Sequence, residues 1–300
     1  MLKTQQNSKV INQQTDNLIE TIDWVGIDSM NLPIQYRFQG HLYRTAAQID
    51  IAVGLDKGEY KGIDMAELYF NAQEFLANKE VNFNSLDNLT TKLLEAHQDR
   101  SLNSRVEISF DLFTKKRTLR SNQEGYQSYP VSLEFVNQEG FKQAVLSFEV
   151  KYASTCPCSE AASRKENLSK FQDFVENNSA EDFANWYLDP SNHFAHPHAQ
   201  KSLAKFSLEL EPDFNEPIDF AQQTIKELEE LIATSVHAAV RQEDEAAFTS
   251  KMGENLIFIE DAAKKFKNYI KNKDEILASA VELIHQESIH PHNAKAFFHT

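Results

Sequence analysis

Alternation of apolar and polar side chains is the feature that most constrains the fold of this chain. Along residues 105–112, 144–152 and 204–211, apolar side chains take every second position, and the side chains between them are polar or charged except for Val145. A period of two is typical of a β-strand with one buried and one solvated face. Such strands belong to antiparallel sheets that are covered on one side only. The sequence therefore predicts an antiparallel sheet with helices packed on one face.

Segments with helical spacing lie between the predicted strands. From about residue 33 to 153 the predicted order is strand, strand, helix, helix, strand, strand, and from about 143 to 299 the order recurs. One strand could belong to both counts. The four predicted helices have apolar residues at intervals of three and four positions, and they cover residues 65–78, 85–97, 217–234 and 254–271.

This order predicts an α+β protein built from tandem ββααββ modules. We expect the first module over residues 21–142 and the second over residues 143–300. Residues 159–200 interrupt the second module as an insertion, helical around 164–175 and loop-like after Leu188. The open edges of such sheets favour pairing between chains, so an oligomer is expected. A generic α+β protein without duplication is the alternative.

Composition argues against two classes of partner. The chain has 30 basic and 45 acidic residues, which gives a net charge of −15. Nucleic acids and anionic membranes attract basic surfaces, so neither is an expected partner. A small phosphorylated ligand could still bind in a locally basic pocket. Hydrophobic residues make up 41% of the chain, which is enough for a sizeable core.

The cysteines and the apolar runs favour a cytoplasmic location. The only two cysteines, Cys156 and Cys158, are separated by one proline, which would strain a disulfide between them. We therefore expect free thiols in a reducing compartment. No apolar run approaches the roughly 20 residues of a membrane-spanning helix. Residues 1–20 are polar and lack the apolar core of a signal peptide, so we expect a mobile tail there.

Three polar segments at the ends of predicted strands carry residues that could bind a metal or transfer protons. Cys156 and Cys158 follow one predicted strand, and His290 and His292 follow another. Residues 193–198, which precede a third predicted strand, contain three histidines. Thiolate and imidazole together suit a borderline metal such as zinc. Two alternatives remain open at this point. The thiols could be small, partly buried hydrophobic residues, and the histidines could belong to polar surface loops.

Eight short motifs occur along the chain in a characteristic order, at residues 24–27, 32–34, 62–65, 154–159, 197–202, 241–245, 258–261 and 287–292. Their joint order resembles the type IB GTP cyclohydrolases over nearly the whole chain after the first 20 residues. The resemblance implies the tunnelling fold, which is built from ββααββ modules and is generally a homotetramer. It also implies conversion of GTP to dihydroneopterin triphosphate and formate, the first step toward tetrahydrofolate and toward deazaguanine-modified tRNA.

The resemblance implies a divalent metal site. Zinc and manganese are both plausible occupants, and iron is also compatible. The family's first motif cysteine corresponds to Cys156, its ligand histidine to His198 and the carboxylate that closes the Lys-Arg-Pro-Asp-Glu motif to Glu245. His198 fits the Pro-His-x-Gln context better than His193 or His196.

The same resemblance implies roles for catalytic and substrate-binding residues. Cys158 would lie beside the purine imidazole ring, and His290 would donate and accept protons. Glu260 would hold the guanine edge. Lys201 and Arg241 are candidates for the triphosphate.

Two departures from the family pattern concern these residues. Residues 159–197 are longer than the common form, and Arg241-Gln242-Glu243 replaces Lys-Arg-Pro. The basic run 115–117 is a further triphosphate candidate that could equally be a solvated loop.

Two other functions stay open on the sequence alone. One is a non-catalytic metal-binding oligomer, which would bind metal without turning over GTP. The other is a different tunnelling-fold enzyme that acts on another purine or on a pterin. Such enzymes share the base-binding glutamate, so Glu260 does not separate them. The Cys-Pro-Cys segment and the pair His290 and His292 favour the cyclohydrolase.

Overall fold

The computed structural model describes residues 20–57, 60 and 62–300, and in this part of the chain eight strands form one antiparallel sheet. The strands lie in the sheet in the order in which they occur in the sequence, from β1 at one edge to β8 at the other. They are β1 (Ile22–Phe38), β2 (His41–Leu55), β3 (Asn103–Arg117), β4 (Glu124–Gln138), β5 (Phe141–Thr155), β6 (Ala199–Leu210), β7 (Ala278–Gln286) and β8 (Ala294–His299).

The helices of the described residues complete two ββααββ units, β1-β2-α1-α2-β3-β4 and β5-β6-α5-α7-β7-β8, which share no strand. The predicted α+β fold is therefore confirmed. The predicted module limits and the limits of the insertion stay predictions, and the predicted tail lies outside the described residues except for Glu20. The helices are α1 (Met65–Leu76), α2 (Phe83–Ala96), α3 (Pro157–Asn177), α4 (Phe183–Leu188), α5 (Pro217–Ile232), α6 (Gln242–Glu254) and α7 (Ile259–Lys271), with a 3-10 turn at Ala180–Asp182.

Helix α6 is the main element that the apolar pattern did not predict. It lies between α5 and α7, and only Asp244 and Ala247 of its residues are buried. The helix predicted over 254–271 is shorter in the structure, where α7 begins at Ile259. A helix that buries so little apolar surface leaves almost no 3.6-residue signal in the sequence.

One face of the sheet is buried under the helices, as the alternation predicts. Val106, Ile108 and Leu112 on β3 are fully buried. Under α7, the ring of Phe266 contacts Tyr152 and Phe206 edge-on, with centroids 6.1 and 5.4 Å apart. Truncating such a buried side chain to alanine typically costs about 3–5 kcal/mol. The core therefore fixes the strands relative to the helices.

Antiparallel pairing brings alternate strand ends to one end of the sheet. The carboxyl ends of β3, β5 and β7 lie there together with the amino ends of β4, β6 and β8. The chain segments just beyond these ends are the ones in which the sequence places both thiols and five of its ten histidines. Among the described residues, no helix is both long enough and apolar enough to cross a bilayer.

Candidate active site

Cys156 and His198 lie side by side at this end of the sheet. Cys156 follows β5 directly and caps the amino end of α3. Because Thr155 pairs with Ala199 in the β5–β6 register, the next residues outward come together. The backbone N–H of Cys156 points to the carbonyl of His198 at 3.5 Å, and the N–H of His198 donates to Ser159 Oγ at 3.0 Å.

The segment between β5 and β6, which contains α3 and α4, carries His198 to this position. It has an aromatic core, in which the Phe174 and Trp186 rings are 4.6 Å apart. The side chain of Asn167 on α3 bonds both backbone groups of Ala195, at 2.9 and 2.7 Å. These contacts hold the returning loop against α3. His193 and His196 on that loop are exposed, whereas His198 is partly buried.

A polar pair orients the ring of His198. Its Nδ1 is 3.3 Å from Gln200 Nε2 and 3.8 Å from the carboxylate of Glu287, and Gln200 donates to that carboxylate at 2.9 Å. In the tautomer whose Nδ1–H faces the carboxylate of Glu287, the other ring nitrogen, Nε2, carries the lone pair that a further ligand needs. A carboxylate close to the non-ligating side of a histidine is a common second partner in metal sites.

A buried polar network forms the floor under these residues. Ser154 Oγ donates to Gln200 Oε1 at 3.0 Å and lies 2.8 Å from Ser202 Oγ and 3.3 Å from His285 Nδ1. The hydroxyl of Tyr152 is 2.9 Å from His285 Nε2. Both ring nitrogens of His285 have a hydrogen-bond partner when the Tyr152 hydroxyl donates to Nε2 and Nδ1–H donates to Ser154 Oγ. It ties the ends of β5, β6 and β7 together.

Sequence reasoning missed this network, although one signal could have found it. Ser154, Gln200, Ser202 and His285 take positions whose alternation calls for buried side chains, and all four are polar and buried. A buried polar group is costly unless it is hydrogen-bonded. Polar residues at buried positions near the ends of three strands therefore indicate a specified polar site.

Burial lowers the pKa of His285 to about 4, although the nearby charges of Glu287 and Glu260 act in the opposite direction. The folded pKa lies below the ordinary value of about 6.5. The neutral ring therefore contributes stability that is fully present above pH 6.5 and is lost as the pH falls toward 4.

We expect the free energy of unfolding to fall by at most about 1.4 kcal/mol per pH unit across this window because of His285. Urea titrations at several pH values would measure the effect, with His285→Asn as the comparison. The variant should show a shallower fall between pH 6.5 and 4. Equal slopes for the two proteins would contradict this role of His285.

Helix α7 brings a carboxylate to the same end of the sheet. Leu256 forms a β-bridge with Thr155, and the N–H of Ile257 donates to the carbonyl of Thr155 at 3.1 Å. This pairing starts α7 beside the end of β5. Glu260, in the first turn of α7, is close enough to raise the pKa of His285.

Comparison with known sequences identifies the family to which the chain belongs. Residues 9–296 match the family model described as type I GTP cyclohydrolase FolE2. The chain belongs to this family. A protein named GTP cyclohydrolase FolE2 from Bdellovibrio bacteriovorus is 35% identical over 276 residues, covering 91% of this chain and 89% of the relative. One of the same name from Pseudoalteromonas atlantica is 35% identical over 280 residues, covering 92% and 90%.

The fold of this FolE2-family chain is also found in solved structures. A crystal structure of a hyper-thermostable uricase variant superposes with a TM-score of 0.51 at 8% sequence identity, covering 98% of this chain and 94% of the uricase. The likeness shows the tunnelling fold and carries no information on activity.

Other residues that the sequence nominated lie apart from the Cys156–His198 pair or in exposed positions. Cys158 is exposed in the first turn of α3. His290 is exposed beyond β7, with its ring stacked on that of His292 at 5.2 Å between centroids. Lys201 is exposed on the face of β6 opposite the buried Gln200.

The metal-ligand assignment stays a prediction. Glu245 and Arg241 are exposed at the start of α6. Within residues 20–57, 60 and 62–300 there is no group of three or more His, Cys, Asp or Glu side chains placed to hold a metal ion. Cys156 and His198 nevertheless come together, and sulfur with imidazole nitrogen is a donor set that suits a borderline divalent metal.

Asp244 fixes α6 to the first half of the chain. Its buried carboxylate accepts from the backbone N–H groups of Arg120, Ser121 and Arg241 at 2.7 to 2.9 Å, and from Ser121 Oγ at 2.5 Å. Burial by itself would raise the pKa of Asp244, but these hydrogen bonds outweigh it and hold the pKa well below its ordinary value. The helix start that carries Arg241 and Glu245 is thereby anchored to the β3–β4 turn.

We expect Asp244→Asn to loosen this anchor, because an amide N–H₂ would face backbone donors. The melting temperature should fall, and hydrogen exchange should become faster in residues 118–123 and 241–248. Glu243→Gln is the matched control, since Glu243 is exposed in the same turn. Unchanged exchange in the Asp244 variant would contradict the anchoring role.

Proposed function

We propose that this chain hydrolyses the guanine imidazole ring of GTP and releases formate and dihydroneopterin triphosphate. Membership of the FolE2 family supports the reaction. The observation that carries its location is the meeting of Cys156 and His198 with the carboxylate of Glu287 at one end of the sheet. The start of α7, with Glu260, pairs with the same strand end.

Guanine recognition is assigned to Glu260. A carboxylate can accept two hydrogen bonds from the adjacent N–H groups of guanine, whereas adenine presents a different pattern on that edge. The exposed position of Glu260 in the first turn of α7 leaves both oxygens available to a ligand. Its place beside the end of β5 would set the imidazole ring near the Cys156-Pro157-Cys158 turn.

Proton transfer is assigned to His290, and contact with the attacked ring to Cys158. Addition of water to the imidazole carbon needs a base, and ring opening needs an acid on the departing nitrogen. An imidazole can serve in both steps because its ordinary pKa is near neutrality. Cys158 would lie against the ring and position it.

A divalent metal is proposed as the cofactor, with zinc or manganese as the candidates. Cys156 and His198 would hold it, with Glu245 as the third ligand. When bound, such a metal supplies a water of lowered pKa. Glu287, which the motif alone did not single out, would orient His198 through its contact with Nδ1.

The proposed assembly is a cytoplasmic homotetramer whose product feeds tetrahydrofolate synthesis. The sheet of the described chain has two open edges, β1 with 17 residues and β8 with 6. Unpaired strand edges favour pairing with another chain. Light scattering coupled to gel filtration would give the subunit number, and a monomer at assay concentration would contradict this part of the proposal.

Turnover of GTP by purified, metal-loaded protein tests the proposed function. We expect formate release and the rise of pteridine absorbance at equal rates. A folded protein that carries metal and yields neither product would contradict the proposal and favour a binding protein or an enzyme for another substrate.

A further inference from the structure

The segment between β5 and β6 contains a cavity of about 440 Å³, which lies between the second half of α3, helix α4 and the residues that lead to β6. This volume falls within the range of roughly 300–1,000 Å³ that is common for small-molecule sites. None of the residues assigned above to catalysis or metal binding lines the cavity. The proposed function therefore leaves it unused.

Three aromatic side chains form the apolar wall of this cavity. The rings of Phe174 and Trp186 are 4.6 Å apart, and the ring of Phe194 meets that of Trp186 edge-on at 5.3 Å between centroids. Phe174 is buried, whereas Trp186 and Phe194 are only partly buried and keep part of their surface accessible. Aromatic rings favour stacked or edge contacts with another flat ring. The wall therefore suits a planar ligand.

The polar lining of the cavity is rich in hydrogen-bond acceptors. The side-chain N–H₂ groups of Asn177, Asn178 and Asn192 each donate to a backbone carbonyl, at 2.7 to 3.2 Å. A carbonyl oxygen can only accept, so these contacts fix which way each amide is oriented. Among the described residues, the three amide oxygens have no hydrogen-bond partner. They can accept from a ligand that carries N–H groups.

Asp173 adds a carboxylate to these acceptors. In the part of the chain that the structure describes, no donor bonds this carboxylate and no cation pairs with it. Lys170 is engaged elsewhere, because its Nζ donates to the carbonyl of His193 and lies 6.0 Å from the centre of the Phe194 ring. One cation and one anion leave the lining without a strong net charge. A cavity of this kind has no strong electrostatic attraction for a triphosphate.

The acceptors and the aromatic wall together match a flat nitrogen heterocycle that has adjacent N–H donors. The 2-amino-4-oxo ring of pterins and of guanine presents an amino group beside a ring N–H, and one carboxylate can accept from both. Adenine presents an amino group beside a ring acceptor, which would face an acceptor of the cavity and stay unpaired. The lining therefore favours the 2-amino-4-oxo ring.

The cavity adjoins the loop that carries His198 to the candidate active site. Residues 191–194 line the cavity, and His198 follows four residues later. Between them, the side chain of Asn167 on α3 bonds both backbone groups of Ala195, at 2.9 and 2.7 Å. A ligand held between α3 and this loop would therefore change how firmly His198 is held.

We propose that this cavity is an effector site for a pterin ring, which would contact Asp173 and stack on Trp186, and that its occupancy is transmitted to His198. The inference rests on the proposed function only for the activity that the effector changes. Two sites linked in this way share a coupling free energy, so that occupancy of one alters the other. Because the proposed reaction releases a pterin, such a site would respond to accumulated product.

Calorimetric titration of the full-length protein with pterin tests the site. We expect Asp173→Asn to weaken pterin binding at least about tenfold, because the amide cannot accept two charge-assisted hydrogen bonds. Asp173 is exposed, so the variant should fold as wild type does. Glu176→Gln is the matched control, since Glu176 is an exposed carboxylate on the same helix outside the cavity. Equal pterin affinity in wild type and Asp173→Asn would overturn the site.

A second variant separates this cavity from the proposed guanine-binding site. Pterin should still bind the Glu260→Gln protein, and binding that is lost only in Glu260→Gln would overturn the inference. In the Glu260→Gln protein, guanosine should compete with pterin because it has the same ring edge, and adenosine should not. Adenosine that binds as tightly as pterin would overturn the ligand class, and guanosine that binds more tightly would overturn the assignment to pterin.

Hydrogen exchange and steady-state kinetics test the transmission to His198. Pterin should slow exchange in residues 191–198 of wild type, and it should lower kcat at saturating GTP because a fixed loop restricts His198 during turnover. The inhibition constant should be at least about tenfold higher for Asp173→Asn. Pterin that binds in the cavity with neither effect would overturn the effector role. If pterin binds there and slows exchange but GTP yields no product, the site stands and the proposed reaction fails.

Discussion

Replacing His290 by glutamine should lower kcat for formate release by about 10²–10⁴-fold, which is the usual contribution of a general acid–base. The side chain is exposed, and its ring stacks on that of His292. The change should therefore leave the melting temperature within a degree or two of wild type, since surface substitutions shift stability by no more than about 0.5 kcal/mol. Single-turnover formate release with saturating GTP would measure the loss.

His292→Gln is the matched control for this prediction. His292 lies two residues away, is equally exposed and stacks on the same ring. It should retain most of the activity. If the His292 variant loses activity and the His290 variant keeps it, proton transfer is the role of His292 and the assignment to His290 is wrong.

The Glu229→Ala variant should be destabilised by about 3–5 kcal/mol, the typical cost of leaving a buried charge without its partner. Glu229 and Lys116 have side-chain exposures of only 10% and 17%. Removing the carboxylate also takes away the group that accepts the hydrogen bond of the Tyr129 hydroxyl. Because Lys116 and Tyr129 lie on β3 and β4 and Glu229 lies on α5, the loss loosens the two halves of the chain from each other. Equilibrium urea unfolding would give the change.

Two comparisons make the Glu229 result interpretable. Glu230→Ala removes an exposed neighbouring carboxylate and should change stability by no more than about 0.5 kcal/mol. The double variant Lys116→Met/Glu229→Leu should recover much of the loss, because an apolar pair of similar volume avoids the unpaired charge. A Glu229→Ala protein as stable as wild type would show that the contacts of Glu229 with Lys116 and Tyr129 contribute little to the free energy of unfolding.

Local periodicity predicted those elements that bury an apolar face. Residues 105–112 read as a strand and lie within β3, and residues 217–234 read as a helix and contain α5. The same criterion missed α6, which is held by the hydrogen bonds of Asp244 instead of by apolar packing. Helices that depend on a few specific polar contacts are invisible to a pattern of hydrophobicity.

The candidate site, too, could be predicted from the sequence only in part. The residue types at Cys156 and His198 suggested a metal from the sequence, and strand pairing explains how they meet. Their partners Gln200 and Glu287 are separated from each other by most of the second half of the chain, so only the tertiary fold shows the contact. The ion pair of Lys116 with Glu229 forms only when β3 and α5 pack together, and the run 115–117 by itself could not be told from a solvated loop.

The most direct test of the account follows the fate of one carbon atom. GTP labelled with ¹³C at the imidazole carbon of guanine would be mixed with wild type, with Cys158→Ala and with Glu260→Gln, and the products followed by NMR. We predict that the label leaves as formate with wild type, and that both variants slow its release strongly. Label that stays in the nucleotide with folded, metal-loaded wild type, or formate released at an unchanged rate by both variants, would contradict the account.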